Sequence, residues 1–114
     1  MKIEIGKTEI IHFVGIGGIG MSGLSLIMKD KGFKVQGSDL SLNKNVERLK
    51  KEKIKIFIGQ KKQNLKDATI VVVSSAIKKN NPEIIEAKRK NLLIIKRGKM
   101  LAHIVSLMKN IVVA

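Results

Sequence analysis

The sequence predicts an α/β fold: a three-layer sandwich in which a parallel sheet of about five strands lies between helices. Three observations carry this. Short apolar runs alternate with amphipathic stretches at helical spacing along nearly the whole chain. The runs at Ile10–Val14 and Thr69–Val73 are apolar almost throughout, as strands buried on both faces require. A glycine-rich turn, Gly15-Ile16-Gly17-Gly18-Ile19-Gly20, then joins the first strand to the first helix, the junction on which Rossmann-like folds are built.

Taken in order, Met1–Glu9 is a polar lead-in with a short extended piece at Ile3–Ile5, and strand one is Ile10–Val14. Helix one runs from about Ile19 to Lys31, with Met21, Leu24, Ile27 and Met28 at helical spacing, the two methionines as core packing, and Gly32 as its stop. Strand two is Phe33–Gly37, followed by Ser38-Asp39. Helix two spans Asn43–Lys53, with Val46 and Leu49 turned inward. Strand three, Ile54–Ile58, alternates with lysine and suits an outer position; Gly59–Lys66 is a polar connection. Strand four, Thr69–Val73, is the most apolar run and so belongs at the sheet's centre. Asn81 caps helix three with Pro82 in its first turn, and the helix lasts to Lys90. Leu92–Ile95 is strand five, Arg97–Leu107 a further helix, and Asn110–Ala114 one more strand beginning. A chain that stops inside a strand reads as a fragment cut at a domain boundary, so residues 1–109 are expected as one domain and 110–114 as the lead into another.

The glycines fit G-x-G-x-x-G as Gly15, Gly17 and Gly20, with Gly18 as an extra. In that motif the first glycine makes the turn, the second lets a pyrophosphate approach the backbone, and the third allows helix and strand to pack closely. The anion then rests on the free amides at the helix N-terminus. A valine at Gly17 is expected to close this cradle while leaving the domain folded. Asp39 lies nineteen residues past Gly20, where an acidic side chain accepts from ribose hydroxyls. The alternative reading is a turn or cap aspartate. Ser74 and Ser75, after strand four, could bond a phosphate or sugar, or only cap the turn.

His12, inside strand one, reads as a packed, hydrogen-bonded core histidine; His103 has no Cys, Asp or Glu at ligand spacing. No catalytic triad, carboxylate pair or metal cluster assembles from the residues present. The chain reads as a binding domain.

Composition narrows the class further. With 44% hydrophobic and 28% charged residues in 114, the chain can build a core and is not disordered. Its apolar runs are too short for a membrane span, the charged start MKIEIGKTEI is unlike a signal peptide, and the lack of cysteine excludes disulfides and mildly favours the cytoplasm. A net charge of +14 invites a nucleic-acid reading. Against it, lysines are spread over nearly every segment, and there are three phenylalanines with no Trp or Tyr to stack bases. The charge also suits a phosphate-bearing small molecule.

The segments IHFVGIGGIGMSG, GSDL, VVVSSAIKKNNPEI and RGKML, in this order and spacing, resemble the N-terminal domain of the Mur ligase family of peptidoglycan synthesis. The glycine form is most like the alanine-adding branch; the murein-peptide branch has a similar domain. The resemblance implies an ATP- and Mg²⁺-dependent ligase that phosphorylates the lactyl carboxylate of UDP-N-acetylmuramate for attack by the amine of L-alanine. The N-terminal domain would hold the UDP part and bind neither ATP nor metal, and alone would be inactive. By motif, Gly15, Gly17, Gly18, Ile19 and Gly20 would cradle the diphosphate, and Asp39 would contact the uridine region. Ser38, Ser74 and Ser75 would line the crevice, and Arg97 matches the arginine opening an R-A-E-M-L element. Gly98 and Lys99 depart from that element, where the family usually has Ala and Glu. The strand matching Ile111–Ala114 leads in the family to an ATP-binding loop that this sequence does not contain.

Two other readings stay open: a Rossmann module for NAD(H), supported by G-x-G-x-x-G and Asp39, and a basic nucleic-acid-binding module, supported by charge.

Overall fold

The computed structural model describes residues 4–112. Five strands, β1 (Ile10–Val14), β2 (Lys34–Asp39), β3 (Lys55–Ile58), β4 (Ile70–Val73) and β5 (Leu93–Lys96), form one sheet in the order β3-β2-β1-β4-β5. Every neighbouring pair is parallel. The chain builds outward from β1 to the β3 edge, then crosses back to β4 and builds toward β5. The strand order therefore reverses between β1 and β4, and ligands of such sheets bind beyond the strand ends at that switch.

Helices α1 (Met21–Asp30), α2 (Lys44–Lys51) and α4 (Arg97–Val112) cover one face; α3 (Pro82–Arg89) and a 3-10 turn at Lys62–Leu65 cover the other. The alternation of β1 assigns its side chains to the two layers. Ile11 and Phe13 join Met21, Leu24, Met28 and Leu49 on the first face. Val14 meets Leu65, Val71, Val73, Ile84 and Ala87 on the second. The methionines of α1 are thus core, as their spacing predicts.

The expected elements are present, with shifted bounds that have local causes. α1 starts at Met21, not Ile19, because Gly20 sits at φ 82°, outside the helical region. β2 runs on through Ser38 and Asp39, since both keep pairing with β3, at Phe57 and Ile58. The connection Gly59–Lys66 contains the 3-10 turn. The Asn81 carboxamide oxygen accepts from the Glu83 N–H at 2.9 Å, which is the predicted cap. The extended piece at Ile3–Ile5 is not a strand over its described residues, and Ile3 lies outside them.

The expected last strand is not formed over its described residues. Asn110–Val112 continues α4 and is not the start of a strand; Val113 and Ala114 lie outside the described residues. A short apolar run fits either periodicity. Extending a helix already formed satisfies each added N–H locally, whereas a strand needs a partner.

Candidate functional site

The glycine-rich loop rises from the C-terminal end of β1 and is clamped from the β2 side. The carbonyl of Ser38 accepts from both the Gly15 and Ile16 N–H groups at 2.9 Å. The Gly17 N–H donates to Asp39 Oδ2 at 2.8 Å, and Asn45 Nδ2 donates to the Gly17 carbonyl at 2.9 Å. The Gly18 N–H turns back to the Gly15 carbonyl at 3.1 Å. Along this loop the N–H groups of Ile19, Gly20 and Met21 make no hydrogen bond among the described residues. Those three amides, at the N-terminus of α1, are the donors open to an anion.

The second motif glycine is needed for a reason beyond ligand approach. A Cβ on Gly17 would lie 2.7 Å from Asp39 Oδ2 and 2.7 Å from Val46 Cγ2. The loop is pressed onto β2 and α2, so a valine there collides with the protein itself. The expectation that such a change spares the fold is corrected on this ground. Ile16 anchors the same loop from below: fully buried, it lies over Gly37, where a Cβ would approach Ile16 Cβ to 2.6 Å. Ile19, by contrast, is 98% exposed, so it offers the site its backbone rather than its side chain.

Asp39 stands beside the loop at the end of β2. Its Oδ2 holds Gly17, while Oδ1 accepts from the Leu40 N–H at 2.8 Å. Both oxygens serve the local backbone, so the turn-aspartate reading describes the observed geometry. Ser38 points away from the site. Its hydroxyl is fully buried and donates to Glu83 Oε1 at 2.6 Å, so it serves the loop through its carbonyl and does not line the crevice with its side chain.

Glu83 is the residue that sequence reasoning missed. It is fully buried between the sheet and α3, and its carboxylate gathers four groups. Oε1 accepts from Ser38 and from His12 Nε2 at 2.7 Å; Oε2 accepts from Asn64 Nδ2 at 2.7 Å and the Lys61 N–H at 3.2 Å. Gln36 Nε2 donates to the Asn64 carbonyl at 2.9 Å and to His12 Nδ1 at 2.8 Å, which places the histidine proton on Nε2, facing Glu83. Burial pushes the Glu83 carboxyl up, but the hydrogen bonds from His12, Ser38 and Asn64 outweigh it and hold the group below the ordinary carboxylate value. The one available signal was His12 itself, a histidine in an apolar strand that must find a partner. Glu83 stands in the first turn of a helix, where acidic side chains are common, and carries no local mark of burial.

Ser74 and Ser75 follow β4, which pairs with β1. Ser74 is half-buried, Ser75 is exposed, and the Ser74 carbonyl closes a turn by accepting from the Ile77 N–H at 3.3 Å. That turn abuts the loop, with Ile77 Cδ1 3.7 Å from where a Gly15 Cβ would stand. Both serines open into a cleft of about 330 Å³ that also carries Lys78, Lys79, Lys88 and Lys96. Arg97, the first residue of α4, reaches across to α1. A Cβ on Gly20 would lie 3.2 Å from its Nη1, so the guanidinium stands over the helix N-terminus. Gly98 meets open space and Lys99 is exposed. The fold thus brings the glycine loop, Asp39 and Arg97 together, sets the Ser74 turn alongside, and turns Ser38 inward.

Among the described residues no group of three or more His, Cys, Asp or Glu side chains could hold a metal ion, and no helix is long and apolar enough to cross a membrane. Phe13 and Phe33 are buried and Phe57 half-buried, which leaves no aromatic platform for bases.

Residues 10–109 match the model of the Mur ligase family, catalytic domain. The chain belongs to the Mur ligase family. It is 74% identical over 113 residues to a UDP-N-acetylmuramate–L-alanine ligase of Pelagibacter ubique, covering 99% of this chain and 24% of that protein. With the enzyme of the same name from Aquifex aeolicus it shares 54% identity over 108 residues, 95% of this chain and 24% of that one. The crystal structure of a UDP-N-acetylmuramate–alanine ligase from Thermotoga maritima superposes with a TM-score of 0.77 at 35% identity, covering 88% of this chain and 23% of that chain. A murein peptide ligase from Psychrobacter arcticus gives the same TM-score, 0.77, at 27% identity, over 82% of this chain and 20% of that one. The chain therefore spans about a quarter of the length of the Mur ligases it matches.

Proposed function

We propose that this chain is the UDP-binding, N-terminal domain of an ATP-dependent ligase that joins L-alanine to UDP-N-acetylmuramate in peptidoglycan synthesis in the cytoplasm. The observation that carries the reading is the set of open amides at Ile19, Gly20 and Met21 beneath the Arg97 guanidinium, in a chain 74% identical to a ligase of that name. A diphosphate placed there receives backbone N–H donors, the positive end of α1 and one fixed cation. Gly15, Gly17 and Gly18 shape the cradle, Asp39 sets its β2 wall next to the uridine end, and the Ser74-Ser75 turn borders the sugar end. ATP, Mg²⁺ and L-alanine belong to the remaining three-quarters of the enzyme, so the 114 residues alone bind substrate without turning it over.

Calorimetric titration tests this with UDP-N-acetylmuramate, NAD⁺ and a short single-stranded DNA run side by side. Saturable heat with the UDP-sugar alone is the expected result, strongly weakened by Arg97→Ala. Binding of NAD⁺ without the UDP-sugar would overturn the reading in favour of a dinucleotide module. Binding of DNA that weakens steeply with salt and ignores the glycine loop would favour the basic-patch alternative.

A further inference from the structure

We propose that Glu83 is a positioning residue of the UDP site, acting through Ser38 from the far side of the sheet. The loop's first turn hangs on one acceptor, the Ser38 carbonyl, which takes the Gly15 and Ile16 N–H groups at 2.9 Å each. The hydroxyl of the same residue is held by Glu83 Oε1 at 2.6 Å. The anchor is fixed from both ends: α3 grips the Ser38 side chain, and the loop grips its carbonyl. The carboxylate also ties His12, two residues before Val14 and the loop, to the same oxygen. Strands β1 and β2 are thus locked side by side at the height where the loop leaves the sheet.

The structure supplies the reasons this is more than core filling. A buried carboxylate is costly unless paired and hydrogen-bonded, and an apolar residue would fill the space at less cost. Here the four acceptor positions are aimed at groups on three separate parts of the fold: β1, β2, and the segment around the 3-10 turn. Ser38 and Gly37 are adjacent, and Ile16 rests on Gly37. Movement of the Ser38 backbone would therefore shift both the hydrogen-bonded and the packed support of the loop. The open amides of Ile19, Gly20 and Met21 would lose their common aim, although none of them touches Glu83.

The binding part of this inference rests on the UDP-site reading, so its test has a readout that needs no ligand. Amide hydrogen exchange is measured residue by residue on the chain and on Glu83→Gln and Ser38→Ala, with calorimetry of UDP-N-acetylmuramate on the same samples. In both variants the Gly15 and Ile16 amides should exchange at least about tenfold faster while β4 and β5 amides keep their protection. Affinity should fall about five- to twentyfold, and the double variant should lose no more than the worse single one. Unchanged exchange at Gly15 and Ile16 in a folded variant would overturn the proposal. So would equal loss of protection in every strand, which is what a purely structural role produces. If Glu83→Gln does not fold, Ser38→Ala decides, because it removes one buried hydroxyl and leaves the His12–Glu83 bond intact. If the parent chain binds no UDP-sugar, the functional reading fails while the exchange pattern still judges the positioning role.

Discussion

The Gly17 N–H donates to Asp39 Oδ2 at 2.8 Å, tying the middle of the glycine-rich loop to the end of β2. The same oxygen lies 2.7 Å from where a Cβ on Gly17 would stand, so glycine and aspartate occupy one shared space. This relationship makes the loop shape a property of the protein before any ligand arrives.

Asp39→Ala should leave the Gly17 and Leu40 amides without their acceptor and loosen the loop. The expected loss is about 1–3 kcal/mol, divided between fold stability and UDP-sugar affinity. Asp39→Asn retains a carbonyl oxygen that can accept from Gly17 and should fall between the two. Urea unfolding and calorimetry on the three proteins separate the shares; an alanine variant equal to the parent in both would remove the latch.

Gly17→Ala should destabilise the domain by about 1–3 kcal/mol, because the added methyl forces Asp39 or Val46 from its place. Thermal unfolding without ligand is the measurement. A variant as stable as the parent, but unable to bind, would restore the view that this glycine serves only ligand approach.

Stability should fall in acid in a way that depends on Glu83. Its carboxyl titrates lower in the fold than in the unfolded chain: burial raises it, but the bonds from His12, Ser38 and Asn64 more than compensate. The resulting stabilisation is complete above the ordinary carboxylate value and is lost as pH falls through the lowered folded value. Glu83→Gln should be less stable than the parent at neutral pH and show a shallower decline below the ordinary value. Parallel curves for the two proteins would show that the carboxylate charge does not contribute.

Gly98→Ala should stabilise the chain by about 0.5–1 kcal/mol, since Gly98 lies in the first turn of α4 and an added Cβ would face open space beyond its own helix. The readout is the urea midpoint at unchanged slope. A decrease would reveal a constraint on this turn that the space around it does not suggest.

The sequence by itself determined the alternation of strands and helices, the loop at the first strand–helix junction, the Asn81 cap and the core stripe of α1. These follow from local rules: periods of 2 and 3.6, turn chemistry and helix capping act within a few residues. It also marked His12 as a buried histidine needing a partner. What it could not decide was where long-range pairing sends a polar side chain. Ser38 and Asp39 are neighbours at one strand end, yet pleating turns Ser38 inward to Glu83 and leaves Asp39 beside the loop. His12 meets a carboxylate 71 residues away, and Gly37 is small because Ile16 rests on it. Such contacts depend on strand order, register and the packing of α3, which only the assembled sheet fixes. Even Asn110–Val112 took its conformation from the helix before it, because a growing helix supplies its own hydrogen bonds and a strand must find them elsewhere.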